Sequence, residues 1–347
     1  MFVVVGEALV DLVGQRGSRT MVGHPGGSPA NVALGLARLG DPVILMTRLG
    51  RDAFGDMITT HLQASGVRVD GGPPAGTRTS LAVATVAGGV ATYDFRLEWD
   101  IGDLEPLPIE TRCLHTGSLA TVLPPGRANV EDLLEREHQR GRVTISYDPN
   151  VRPALLGTPE EAQPQIEHLV ALSDVVKVSD EDLHWLYRGR PDEDVAQDWL
   201  SRGPALVVVT RGGQGVFAVT ADLALHRPAT PIDLVDTVGA GDSFTSGLLD
   251  GLHRADLIGG VHRDQLSAID ESTLVSILDA ASLGAAITCS RPGADPPTRA
   301  ELDAAQAQGQ GTATTVTSGP TRAAAPTTAA PGAAVPSPTP PGTGRGT

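Results

Sequence analysis

Lysine is almost missing from this chain. Lys177 is the only one among 26 basic residues in 347. A Walker A phosphate loop needs a lysine after its last glycine, and Lys177 instead follows valine in DVVKVS, so P-loop nucleotide chemistry is excluded. The dinucleotide fingerprint GxGxxG is absent from the first strand, VVVGEALVD, and the HRD and DFG elements of protein kinases do not occur. Aromatic residues are scarce at 3%, so a core must be built from Val, Leu, Ile and Ala. Two cysteines, Cys113 and Cys289, are too few for a disulfide framework and read as buried thiols, and no Cys/His cluster has zinc spacing. Positive charge is short overall. The formal net charge is −15, and because the stretch from residue 309 carries two arginines and no acid, the remainder carries −17. That excludes an extended nucleic-acid surface, though a few arginines and backbone N–H groups can still make a local anion site. No apolar run approaches the ~18 residues of a membrane span. The opening MFVVVGEALVDL is interrupted by Glu7 and Asp11 and lacks the basic start of a signal peptide, so a cytoplasmic protein without a membrane partner is expected.

What is present is a strand–helix alternation. MFVVVGEAL, PVILMTRLG, VTISYDPN, DVVKVS and ALVVVTRGG read as buried strands. PANVALGLARLG, DAFGDMITTHLQASG, EEAQPQIEHLVALS and DEDLHWLY read as helices between them. Near-continuous Val/Ile strands alternating with helices imply an α/β fold around a mostly parallel sheet covered on both faces. Two segments, about 12–25 and 78–100, break the rhythm. TSLAVATVAGGVATYDFRLEW alternates like a hairpin turning at Gly88-Gly89. Together they are expected to form a small antiparallel β lid on a domain spanning 1–308. From 309 to 347 the chain is Thr, Ala, Pro and Gly with no Leu, Ile, Met or aromatic residue, which predicts a disordered tail.

The chemistry concentrates in DTVGAGDSF, residues 236–244. Glycines entering a helix make an anion site, because the first-turn N–H groups are unpaired, the dipole end is positive and a missing Cβ lets a ligand approach. Asp242, just past Gly239, Ala240 and Gly241, has two readings: a helix cap, or a base that accepts the proton of a hydroxyl attacking a phosphoryl group held by those N–H groups.

DTVGAGDSF resembles the second signature of the ribokinase-like (PfkB) carbohydrate kinases, and GGSPANVALGLARLG followed by TRLGRDAFGD resembles the first. The resemblance runs over roughly residues 1–300 and implies the ribokinase-like three-layer sandwich, ATP and Mg²⁺ as phosphoryl donor and metal, and a homodimer formed through the lid. It implies that Asp11, at the end of the first strand, and Gly26, Gly27 and Asn31 hold the sugar, with Asp242 as base. Arg152 in DPNVRP would approach phosphate or sugar. Thr210, Gly212 and Gly215 in VTRGGQG would border the nucleotide. The family's Asn-x-x-Glu motif is replaced by SDED, which puts Ser179 and Asp182 in its place behind Lys177 on the nucleotide side. The shorter Asp182 argues for Mg²⁺ held through water. Asp236, Val238 and Gly293 match the region where such enzymes bind a monovalent cation, so K⁺ activation is a further expectation.

GEALVDL and ATYDFRLEW most resemble the fructokinase branch, where Tyr93 and Phe95 would pack near the sugar ring. A 2-keto-3-deoxygluconate kinase is the alternative, with Arg96 or Arg152 to meet the substrate carboxylate. A silent sugar- or nucleotide-binding regulator on the same fold is the alternative outside enzymes.

Overall fold

The computed structural model describes residues 1–70, 76–87 and 90–313, the side chains of 86–93 and 309–313 excepted. Its elements are β1 (Phe2–Val5), β2 (Leu9–Gln15), β3 (Val22–Gly26), α1 (Ser28–Arg38), β4 (Val43–Met46), α2 (Ala53–Ala64), β5 (Arg68–Asp70), β6 (Ser80–Ala87), β7 (Val90–Arg96), β8 (Cys113–Gly117), α3 (Gly126–Arg140), β9 (Thr144–Asp148), α4 (Pro153–Leu156), α5 (Pro159–Ala171), β10 (Val175–Ser179), α6 (Asp180–Leu186), α7 (Asp192–Leu200), β11 (Leu206–Thr210), β12 (Val216–Val219), β13 (Ala224–Arg227), α8 (Ala240–Arg254), α9 (Arg263–Ser267), α10 (Glu271–Cys289) and α11 (Arg299–Ala313). Met1–Gln308 is one compact unit and Gly309–Thr347 a second. Of the second only the helical backbone of 309–313 is described, so α11 runs past the expected boundary at 309; the tail expected to be disordered otherwise lies outside the described residues, as does the Gly88-Gly89 turn.

A 9-stranded sheet in the order β13-β12-β11-β10-β9-β8-β1-β4-β5 forms the middle layer. It is parallel from β5 to β11, and β12 and β13 return antiparallel at one edge. The strands can be apolar on both faces because helices cover both. Phe2 and Val4 enter one core while Val3 and Val5 enter the other. Leu206 and Val208 part from Val207 and Val209 in the same way. This period of two divides the interior into two cores. Residues of α1, α2, α8 and α10 fill the first, and those of α3, α5, α6 and α7 the second, giving three layers.

The lid is a 4-stranded sheet, β3-β2-β6-β7. Two antiparallel pairs, β2–β3 and β6–β7, are joined side by side by parallel pairing of β2 with β6. Its first strand begins at Leu9, earlier than the expected 12, so Asp11 belongs to the lid and not to the end of the first core strand. β1 stops because the chain bends at Gly6, where a side chain would collide with the Pro29 ring.

α10 is the one helix among the described residues that resembles a membrane span in length and composition. An 18-residue stretch of this 19-residue helix has a mean hydropathy of 1.5, long and apolar enough by composition to span a membrane. In the fold Leu274, Ile277, Leu278 and Ala281 are buried in the first core against α8. Glycines set that spacing: a Cβ at Gly247 would come within 2.9 Å of the Ala281 Cα, and one at Gly251 within 2.8 Å of Ile277 Cγ2. On the other flank, a Cβ at Gly35 of α1 would collide with Ser246. α8 is thus gripped by small residues on both sides.

Gly247→Val should force α8 from α10 and destabilise the chain by about 1–3 kcal/mol, the usual cost of overpacking. Urea unfolding of the full chain measures it, and an unchanged midpoint would mean that the two helices part freely.

Candidate active site

Parallel strands all end on one edge of a sheet, and ligands of open α/β folds bind beyond that carboxyl edge. Here Glu7 follows β1, Ser118 follows β8, and Asp148, Ser179 and Thr210 close β9, β10 and β11. Two of the connecting residues are strained: Ser118 and Asn150 have φ of 54° and 39°, the left-handed region that side chains seldom adopt outside functional loops. They are linked to each other through Asn150 Nδ2, which donates to Ser118 Oγ at 3.3 Å. Glu7 beneath them is buried, accepts from Ala120 N at 3.0 Å, and is pushed up to about 7 by burial despite hydrogen bonds from Ser118 and Ala120.

Gly239 starts α8 in the left-handed conformation, φ 76°, and a Cβ there would meet Ala294 Cβ at 2.6 Å. Gly239, Ala240 and Gly241 present their backbone at the helix start. No side chain caps α8. The carboxylate of Asp242, in the first turn, turns instead to α1, accepting from Ser28 Oγ at 2.6 Å and from Asn31 Nδ2 at 2.8 Å. The capping reading of Asp242 therefore falls. Its carboxyl is raised above the ordinary aspartate value, chiefly by burial, with the two hydrogen bonds and Lys177 opposing and Asp148 adding.

The lid brings Asp11 over this edge. Across its strands, His24, Asp11, Ala82 and Phe95 stand in one register row, which puts their side chains on one face. Asp11 is half-buried and raised by burial, against the charges of His24 and Arg152. Gly26 is glycine because a Cβ would strike the Asp11 carboxylate. Gly27 has φ +102° and a Cβ there would lie 2.6 Å from Glu7 O. Phe95 is 37% exposed on the Asp11 face, and the side chain of Tyr93 lies outside the described residues. Arg152 bends back to Asn150, donating to Asn150 Oδ1 at 2.7 Å.

On the other side of Asp242, Lys177 Nζ donates to Asp148 Oδ2 at 2.9 Å, both groups buried. Ser179 accepts from Asp182 N at 3.0 Å and so caps α6, while Asp182 Oδ1 accepts from Val151 N at 3.1 Å. Burial and the Asp148 charge push Asp182 up to about 6, against Ser179, Lys177 and Arg152. Thr210 pairs in register with Ser179, so it shares the edge. Gly212 and Gly215 lie in the turn that follows, and a Cβ at Gly215 would strike the Arg227 carbonyl, so that glycine is needed by the turn itself.

Asp236 and Gly293 meet: Asp236 Oδ2 accepts from Gly293 N at 2.8 Å and Oδ1 from Val238 N at 3.1 Å. Despite burial, these backbone donors hold the Asp236 carboxyl below its ordinary value. Val238 is exposed beside it.

Ser28, Asp148 and Glu7 escaped sequence reasoning. Ser28 stands between two expected sugar residues and could have been found from the GGSPAN spacing. Asp148 carried no local signal, because its role depends on a lysine 29 positions away.

Residues 1–301 match the model of the pfkB family carbohydrate kinases. A fructokinase of Rhizobium leguminosarum bv. trifolii is 34% identical over 285 residues, covering 79% of this chain and 85% of that protein. Among solved structures, a fructokinase of Xylella fastidiosa with bound ATP superposes with a TM-score of 0.78 at 26% identity, covering 89% and 98% of the two chains. A double mutant of the Vibrio cholerae O395 fructokinase holding fructose, ADP and a potassium ion gives 0.73 at 28% identity, covering 87% and 97%.

Hydrogen bonds from Ser28 and Asn31 favour the ionised form of Asp242, so Ser28→Ala should raise its pKa further. Carboxyl ¹³C titration by NMR reads the shift directly, and a fall or no change would show that the hydroxyl does not serve the carboxylate.

Proposed function

This chain belongs to the pfkB family of carbohydrate kinases, an ATP-dependent sugar kinase, and we propose that fructose is its acceptor and Asp242 its base. The observation that carries the assignment of the base is the orientation of Asp242. Its carboxylate is not spent on capping its own helix and is held instead by Ser28 and Asn31 of α1, residues that the sugar-binding signature brackets. The lone pair of the sugar hydroxyl oxygen attacks the γ-phosphorus. The new O–P bond forms as the bond to the β,γ-bridging oxygen breaks, ADP leaves with that electron pair, and the hydroxyl proton passes to Asp242. The N–H groups of Gly239, Ala240 and Gly241 receive the charge on the equatorial oxygens. Asp11 and Asn31 orient the sugar hydroxyls, and the lid excludes the water that would otherwise compete as acceptor.

The donor set fits a divalent cation held through water. Asp182, pushed up to about 6 by burial and by the Asp148 charge, is a group that a dication would draw into its ionised form. Mg²⁺ bound there and to ATP would neutralise phosphate charge. The ionised Asp236 where two loops meet suits a monovalent cation.

Fructose is favoured over a sugar acid because the cleft is already acidic. The charge of Arg152 is answered by Glu7, Asp11 and Asp182, and Arg96 stands out on the lid beside Asp94 at 3.8 Å. A silent regulator would not need both Asp242 and the glycine loop. Val13, Val22 and Phe95, each more than a third exposed on the lid face that carries Asp11, support pairing of lids in a homodimer.

ADP release should depend on fructose and be weak with 2-keto-3-deoxygluconate or ribose in a coupled assay. Asp242→Asn should lower kcat by on the order of 10²–10⁴, with fructose binding by calorimetry retained. A variant keeping more than about a tenth of the turnover would defeat the assignment of the base. K⁺ should raise turnover over Na⁺ or Tris, and equal rates in all three would remove the cation site.

A further inference from the structure

Helices α3 and α5 follow the adjacent parallel strands β8 and β9, so they run in the same direction along one seam. Three rungs cross it. Arg127 Nη1 donates to Gln165 Oε1 at 3.1 Å, and His138 Nδ1 lies 3.0 Å from Leu172 O. Between these, His168 of α5 faces Glu131 and Glu135 of α3, its Nε2 lying 3.3 Å from Oε1 of each. The three ligand atoms fall within 4.8 Å of one another, and the side chains are half-buried. Among the described residues this is the one group of three metal-ligating side chains gathered so closely. As hydrogen bonding the middle rung is poor. One imidazole N–H cannot point at two carboxylates, and both distances exceed the ~2.7–2.9 Å of a charge-assisted bond. Glu131 and Glu135 are like charges at i and i+4, which repel. Among the described residues no arginine pairs with either, and Arg127, one turn before Glu131, is spent on Gln165. As a coordination set the same distances are apt. Two ligand atoms each ~2.1 Å from one ion stand ~3.0 Å apart at a right angle and ~3.4 Å apart at the tetrahedral angle. The observed 3.3 Å falls between the two.

We infer that Glu131, Glu135 and His168 form a binding site for a first-row divalent cation of the Zn²⁺ class, which clamps α3 to α5 and is separate from the metal proposed to accompany ATP. The inference stands independently of the kinase reading. The imidazole sets the class of ion. Mg²⁺ takes oxygen ligands and dehydrates reluctantly, whereas a nitrogen beside carboxylates suits Zn²⁺ and its neighbours. The helices supply the geometry. Residues at i and i+4 share one face, so α3 offers both carboxylates to the seam while α5 closes the third corner. Three protein ligands leave a further position for water, which a half-buried seam admits. Neither helix contributes a side chain to the site around Asp242, so the clamp acts on the fold. It acts behind that site all the same. α3 follows the connection that holds Ser118, and α5 follows the one that holds Asn150, the two strained residues at the sheet edge. A cation on the seam ties together the helices that anchor both connections, and it stabilises the chain as any ligand of the folded state does.

The experiment titrates the full chain with Zn²⁺ by calorimetry, after metal has been stripped with a chelator, without nucleotide and in an excess of Mg²⁺. The wild type should take up Zn²⁺ at one site per chain that Mg²⁺ does not fill, and its melting temperature should rise as the site fills. His168→Ala should weaken this uptake by at least about a hundredfold, since even groups that merely support a ligand are worth about 10–100-fold in affinity. Glu131→Gln combined with Glu135→Gln should do the same while keeping the shape of both side chains. In each variant the melting temperature should no longer respond to Zn²⁺. No uptake by the wild type, the result if a charged imidazole alone answers the two carboxylates, would overturn the inference. Uptake that both variants retain to within about threefold would overturn it as well, because the ion would then sit elsewhere on the chain. Should His168→Ala fail to fold, the isosteric glutamine pair decides alone.

Discussion

Two helix starts converge on one carboxylate. Asp242 belongs to the first turn of α8, and the groups that hold it, Ser28 and Asn31, belong to the first turn of α1. Each helix start carries unpaired N–H groups and a positive dipole end. Bringing two together makes a spot that favours negative charge, and the Asp242 carboxylate lies beside it. The same hydrogen bonds tie the carboxylate down. Ser28 and Asn31 oppose the burial that raises its pKa, so the carboxyl can be both sheltered and ionisable.

That convergence depends on distances that only small residues permit. Gly35 lets α1 approach Ser246, and Gly247 and Gly251 let α10 approach on the opposite flank. Gly239 brings the helix start against Ala294, and Gly26 and Gly27 bring the lid strand and the α1 entry against Asp11 and Glu7. A methyl group at any of these points displaces an element that carries part of the site. Glycine is used here for closeness more than for flexibility.

The charge pattern follows from the same edge. Glu7, Asp11, Asp148, Asp182 and Asp242 crowd it, and Lys177 and Arg152 answer them. An acidic cleft is a poor resting place for a nucleotide on its own. In the proposed reading, metal ions and two helix starts supply the positive charge it needs, and a substrate with an extra carboxylate is disfavoured. Burial then spreads the carboxyl groups over different proton affinities, with Asp236 held low by backbone donors and Glu7 held near neutrality.

The sequence by itself was enough to establish the layered α/β plan, because buried parallel strands must be apolar on both faces and VVKVS or LVVVT is legible as such without neighbours. It also disclosed the glycine loop and Asp242, since an anion loop is a local object whose parts are adjacent in the chain. It could not decide whether Asp242 caps its helix, because the answer lies with two side chains 211 and 214 positions away. Nor could it show that Asp11 rides on the lid, where pairing of β2 with β6 and not its own strand signal assigns it. The apolar length of α10 is explained by α8 and the first core covering it. Asp148 became a site residue only when the sheet laid β9 beside β10 and set its carboxylate on the one lysine. Local chemistry is written in runs of residues, whereas orientation, pairing and proton affinity are set by what folding brings within hydrogen-bonding distance.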